Sequence, residues 1–154
     1  MTLTVLAISC TKTTPAGFWT DFHKEFLTTN NSNQGPWGGQ RELSWKGEIN
    51  YAFTENELID YASKNDWSLI DSITLRTDSL NVETLTKLKN DDYSLAILKE
   101  TVVPNIKPNN SKLFIFKTTW LSVEPGNARE TFENGFAVLN SEGRELKIYH
   151  FWGE

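Results

Sequence analysis

The chain has 154 residues, 38% hydrophobic and 23% charged, which suits one domain with a real core. A net charge of −5 with no Lys/Arg cluster argues against a nucleic-acid partner, whose phosphates need a positive surface. One cysteine excludes an internal disulfide and a CxxC metal or redox motif, and no run reaches the roughly 18 apolar residues of a membrane-crossing helix.

Met1–Cys10 reads MTLTVLAISC and supports two readings. In one it is a strand, with Leu3, Val5 and Ala7 alternating against Thr4, Leu6 and Ile8. In the other, Ala7-Ile8-Ser9-Cys10 resembles the lipobox of a bacterial lipoprotein leader, and TKTTPAG after it resembles a tether. That resemblance implies cleavage before Cys10, which is then acylated. It departs from the usual pattern, with Ala7 where lipoboxes carry Leu and no Lys or Arg before the short apolar run. Residues 1–10 are therefore a leader or a first strand, and residues 11–154 form a single domain.

Thr14 and Pro15 suit an N-cap and first helical residue. Phe18, Phe22 and Phe26 fall four apart with Trp19 beside them, which predicts a helix over Ala16–Thr28 packed on a sheet, with His23 on its polar side. Thr29–Gln40 (TNNSNQGPWGGQ) is expected to be a loop. Trp37 within it has few local neighbours to pack against, which makes it a candidate contact residue. Arg41–Phe53 reads as a long strand interrupted at Gly47 by a bulge or a close backbone approach.

Thr54 and Glu57 form a T-x-x-E capping box with Phe53 and Leu58 at the staple positions. The helix they start should run to Lys64, bury Leu58, Ile59 and Ala62, and end with Asn65 left-handed. Trp67–Arg76 follows as a strand with Trp67, Leu69, Ile73 and Leu75 on one face. A second helix is predicted from Asn81, with Leu80 and Leu85 as its staple and Val82, Leu85 and Leu88 as its stripe. Tyr93–Val103 favours a strand ended by Pro104.

From Lys112 to Trp152, three β-rich runs (KLFIFKTTWLSV, TFENGFAVL and RELKIYHFW) are separated by turns at Pro125-Gly126 and Asn140–Gly143. They predict an antiparallel meander. The expected fold class is α+β, mainly an antiparallel sheet with a C-terminal three-strand meander, packed by two or three helices.

No P-loop, GxGxxG, GxSxG, HExxH or EF-hand pattern occurs. Cys10, His23 and His150 have no metal-ligand spacing, so neither a metal nor a cofactor is expected. His150, in line with Ile148 and Trp152, reads as a structural histidine. Glu48, Asp71, Glu124 and Glu133 lie in or beside strands, where a pair could face each other as in a glycosidase, but nothing in the sequence selects the pair. With six tryptophans in the chain, Trp37, Arg41 and Trp120 are the candidate contacts for a protein, small-molecule or glycan ligand, and Cys10 is the lipidation candidate.

Three functions compete. The first is a non-enzymatic binding protein of the bacterial envelope, touching the membrane only through a lipid on Cys10. The second is a small acidic cytoplasmic inhibitor of the immunity kind, and the third a hydrolase with carboxylates in an aromatic-lined cleft.

Overall fold

The computed structural model describes residues 16–36, 38–75, 98–106, 111–119, 122–123, 130–131 and 134–153. Its frame is a six-stranded antiparallel sheet with one α-helix and several tight helical turns. The strands are β1 (Leu27–Gln34), β2 (Gly38–Lys46), β3 (Ser68–Leu75), β4 (Ser111–Lys117), β7 (Gly135–Leu139) and β8 (Glu145–Gly153), ordered β1-β2-β8-β7-β4-β3. The short β5 (Ser122–Val123) and β6 (Glu130–Thr131) pair only with each other.

The C-terminal third supplies the middle of the sheet. β4, β7 and β8 are successive antiparallel neighbours, so the predicted meander is matched in part: its runs are shorter than the sequence suggested, and the separate β5–β6 pair comes between β4 and β7 in the chain. β4 stops at Lys117, because Thr118 turns its hydroxyl inward to the side-chain oxygen of Asn134. β7 begins at Gly135, and the turn expected at Pro125-Gly126 lies outside the described residues. The β7–β8 turn matches its sequence signal. Gly143 takes a φ of 67°, which favours a residue without Cβ, and the side-chain oxygen of Asn140 accepts from the amides of Arg144 and Glu145 at 2.7 and 3.0 Å.

Alternation along these central strands gives both sheet faces apolar surface. One face carries Leu43, Trp45, Phe114, Phe116, Ala137, Leu139, Leu146 and Ile148. It is covered by Phe53, Leu58, Ala62, Trp67 and the aromatics of residues 16–26. The opposite face carries Leu113, Ile115, Phe136, Val138, Tyr149 and Phe151, covered in part by Val102 and Ile106.

The helix α1 (Glu55–Lys64) begins as its sequence demands. The Thr54 hydroxyl accepts from the Glu57 amide at 3.3 Å, and the Glu57 carboxylate accepts from the Thr54 amide at 2.9 Å. The same carboxylate oxygen accepts from the Tyr51 hydroxyl at 3.1 Å. Thr54→Ala should therefore cost about 1 kcal/mol of stability. Glu57→Ala should cost more, since it removes two acceptor contacts; urea unfolding of the two variants gives the order. At the other end, the left-handed residue is Asp66 (φ 64°) rather than Asn65, whose side-chain nitrogen instead donates to the Tyr61 carbonyl at 2.9 Å.

Four predicted elements are corrected. Residues 16–28 are not a continuous helix but two 3-10 turns, Gly17–Asp21 and Lys24–Phe26, leading into β1. The break falls at His23, which has a φ of 39°. Packing explains it: the Phe22 carbonyl, which a helix would use internally, accepts from the indole N–H of Trp45 at 2.7 Å. Trp19 meanwhile sinks between the rings of Trp45, Trp67, Phe22 and Tyr61.

Most of the predicted loop 29–40 is strand. β1 pairs with β2 from Leu27 to Gln34, and the Gly35 amide closes the turn onto the Gly38 carbonyl at 2.7 Å. As an edge strand exposed on both faces, β1 needs no apolar alternation.

The strand expected over Arg41–Phe53 ends at Lys46. There the Gly47 amide donates to the Arg144 carbonyl, and a Cβ on Gly47 would lie 2.7 Å from the Tyr51 carbonyl oxygen, so a close backbone approach is present. Finally, Leu98–Val102 is a π-helical turn and Val103–Asn105 a 3-10 turn, not strand. Pro104 lacks the amide a ladder would need, and the turns press Val102 and Ile106 onto the sheet.

Among the described residues one α-helix packs the sheet rather than two or three; the helix predicted from Asn81 lies outside them. β3, the other edge strand, is irregular between Leu69 and Asp71, and Leu69 and Ile70 are exposed. The single face predicted for Leu69, Ile73 and Leu75 is thereby broken.

Candidate functional site

The β1–β2 hairpin, the adjacent strand β8 and the Leu98–Val102 turn enclose a hollow of about 210 Å³ on the face opposite α1. The register builds it. Asn31 pairs with Glu42, Glu42 with Tyr149, Asn33 with Gln40, and Gln40 with Phe151. Directly paired residues share a face, so these six side chains form two rows across three strands. Thr101 closes the far side, and Ser32 and Arg41, whose side chains alternate to the other face, complete the lining.

The lining is chemically consistent. Asn31, Asn33 and Gln40 each offer an amide that both donates and accepts. Glu42 is the one carboxylate among the described lining residues and lies 3.9 Å from the Lys147 ammonium. Phe151 gives an apolar wall. The Tyr149 hydroxyl is fully buried and has no hydrogen-bond partner. Its ionisation is pushed well above the ordinary tyrosine range, by burial first and then by the charge of Glu42, so it is a neutral donor lacking an acceptor. An unanswered buried hydroxyl costs about 1–3 kcal/mol.

A second, more open groove lies over the β7–β8 turn, lined by Phe53, Glu55, Lys112 and Asn140–Gly143. Two of its charges already satisfy each other, since Lys112 is paired with Glu55.

A cluster of titratable groups lies elsewhere. The Tyr51 hydroxyl is 2.8 Å from Nε2 of His23 and donates to Glu57. Burial first, then Glu57, raises the Tyr51 hydroxyl to about 12. Neither hollow described above includes these residues, and the Glu57 carboxylate is occupied by the helix cap. Tyr51 also stacks on Phe26 at 4.7 Å, which ties the 3-10 turns to the start of α1.

Of the residues singled out from sequence, Trp37, Trp120 and Cys10 lie outside the described residues, as do Glu124 and Glu133. Arg41 is described. It borders the hollow, but its side chain shares the α1 face with its register partner His150. Glu48 and Asp71 are both exposed and line neither hollow, so no facing pair forms between them. No group of three or more His, Cys, Asp or Glu residues suited to a metal occurs among the described residues. No helix there is long and apolar enough to cross a membrane.

Sequence reasoning missed Asn31, Asn33, Gln40 and Tyr149. The signal there is the amide-rich run NNSNQ, which lacks the apolar alternation by which strands are usually recognised. No family model, curated protein or solved structure matches the chain.

Proposed function

We propose that this chain is a non-enzymatic binding protein whose hairpin-side hollow takes a small, neutral, hydroxyl-rich ligand of about monosaccharide size. The lining carries the reading: three amides, a hydroxyl, a carboxylate and a neutral phenol converge on one hollow with an aromatic wall. Amides and a carboxylate suit vicinal hydroxyls, while an aromatic ring suits the C–H face of a sugar. A volume of about 210 Å³ favours a small ligand, because hollows for drug-sized molecules span about 300–1,000 Å³.

Hydrolysis of such a ligand would need a second carboxylate across the cleft. Among the described residues Glu42 is the one acid in the lining, which favours binding over the hydrolase reading. The test is calorimetric titration with a panel of monosaccharides and small polyols. A saturable ligand is expected, weakened about tenfold or more in Gln40→Ala, a loss of about 1.4 kcal/mol in binding. Gln40 is exposed, so stability should change by less than about 0.5 kcal/mol. Binding unchanged in Gln40→Ala would contradict the site.

Compartment rests on Cys10. For a lipid-anchored envelope protein the expected result is fatty-acid labelling that disappears in Cys10→Ser. An unlabelled chain that keeps Met1 would instead support a cytoplasmic protein of the inhibitor kind.

A further inference from the structure

On the α1 face, Arg41 and His150 stand opposite each other in the β2–β8 register. Arg41 is 8% exposed and His150 is fully buried. Arg41 Nε and His150 Nδ1 are both shut off from solvent and without a hydrogen-bond partner. The Arg41 guanidinium has no ion pair among the described residues. A nearly buried guanidinium without a counter-charge is costly, which points to an anion that completes it.

The surrounding hydrogen bonds determine what kind of anion. The Asn134 side-chain nitrogen donates to the Phe151 carbonyl at 2.6 Å, so its oxygen faces Thr118. The Thr118 hydroxyl spends its proton on that oxygen, leaving its lone pairs to accept from His150 Nε2, 3.5 Å away. With the proton on Nε2, Nδ1 is a lone-pair acceptor. The neutral ring is held between Trp67 and Trp152, at centroid distances of 5.2 and 5.3 Å.

Side by side, then, are a positive donor and a neutral acceptor. Sulfate or acetate satisfies the first and repels the second. An oxyanion that also carries a hydroxyl satisfies both. We propose that Arg41 and His150 form a binding site for a small hydroxyl-bearing oxyanion, such as hydrogen phosphate or an α-hydroxy carboxylate. Its charged oxygen would sit on the Arg41 guanidinium and its hydroxyl would donate to His150 Nδ1. Ser32, exposed on the edge strand and paired with Arg41, adds a hydroxyl donor on the same face. Ser32 and Arg41 also border the hollow on the other face, but the amides, Glu42 and Tyr149 that carry the reading there take no part here.

The test is calorimetry on the full chain at pH 7 with inorganic phosphate, sulfate, glycolate and acetate, together with the nitrogen signals of His150. Phosphate bears at least one hydroxyl at this pH and sulfate bears none. Phosphate should bind about tenfold or more tighter than sulfate, or glycolate than acetate, and whichever pair discriminates names the source. The Nδ1 signal of wild-type His150 should move with saturation, and Arg41→Gln should abolish binding. Equal affinity within both pairs would overturn the proposal, as would an unmoved Nδ1 signal at saturation. So would no saturable binding of any of the four anions, or binding retained in Arg41→Gln. If Arg41→Gln does not fold, the wild-type discrimination and the Nδ1 signal decide alone.

Discussion

Replacing Trp19 with alanine is expected to cost about 3–5 kcal/mol of stability, the range for a large aromatic removed from a packed core. Trp19 is fully buried and lies 5.1–6.4 Å, centroid to centroid, from Phe18, Phe22, Trp45, Tyr61 and Trp67. It therefore joins the 3-10 turns, β2, α1 and the residue before β3. Its indole N–H, however, is buried without a partner. Two terms oppose each other here: the cavity left by the ring, and relief of a buried donor worth about 1–3 kcal/mol. In Trp19→Ala the cavity dominates. In Trp19→Phe much of the ring volume remains while the orphan donor disappears, so the net cost should be under about 2 kcal/mol. Urea unfolding of both variants tests this. Near-equal losses would mean that the indole nitrogen matters and has an acceptor.

The second large effect is on acid stability. Burial first, and then the neighbouring charge of Arg41, lowers His150 to about 3 from its ordinary value of 6.5. Below pH 6.5 the unfolded chain gains a proton that the folded one refuses, so stability falls as pH drops and the loss is complete near pH 3. At about 1.36 kcal/mol per pH unit, that window corresponds to a loss on the order of 4–5 kcal/mol. Above pH 6.5 the group contributes no slope. Titrating carboxylates act over the same range, so the measurement is a difference: urea midpoints from pH 3.5 to 7 for wild type and for His150→Gln. The wild-type curve should be steeper by about one proton between pH 4 and 6. Parallel curves would show that His150 is protonated in the fold.

How much could be read from the chain depended on where each element lies in the sheet. α1 was legible to its first residue because Thr54 and Glu57 lie only three positions apart in sequence and need no tertiary partner. The Asn140–Gly143 turn and the cores of β4, β7 and β8 were legible for the same reason: turn chemistry and β-rich composition are local. β1 was not, because an edge strand with both faces in water carries no apolar period. In residues 16–26 the four-residue spacing of Phe18, Phe22 and Phe26 fits a helix, yet the carbonyl of Phe22 is worth more to Trp45 than to a helical turn. The hollow was illegible for a further reason. Its walls come from residues 31–33, 40–42, 101, 149 and 151, most of which only the pairing of β1, β2 and β8 brings together. Arg41 was singled out from the sequence, but its relation to His150 belongs to the register and not to any motif.

The most direct test of a binding role for the hairpin-side hollow is amide chemical-shift mapping of the labelled chain with the ligand found by the sugar and polyol panel. The expected result is a set of shifts confined to Asn31, Asn33, Gln40, Glu42, Thr101 and Tyr149, with the ligand unchanged after long incubation. Shifts clustered at His23, Tyr51 and Glu57, or conversion of the ligand to product, would contradict it.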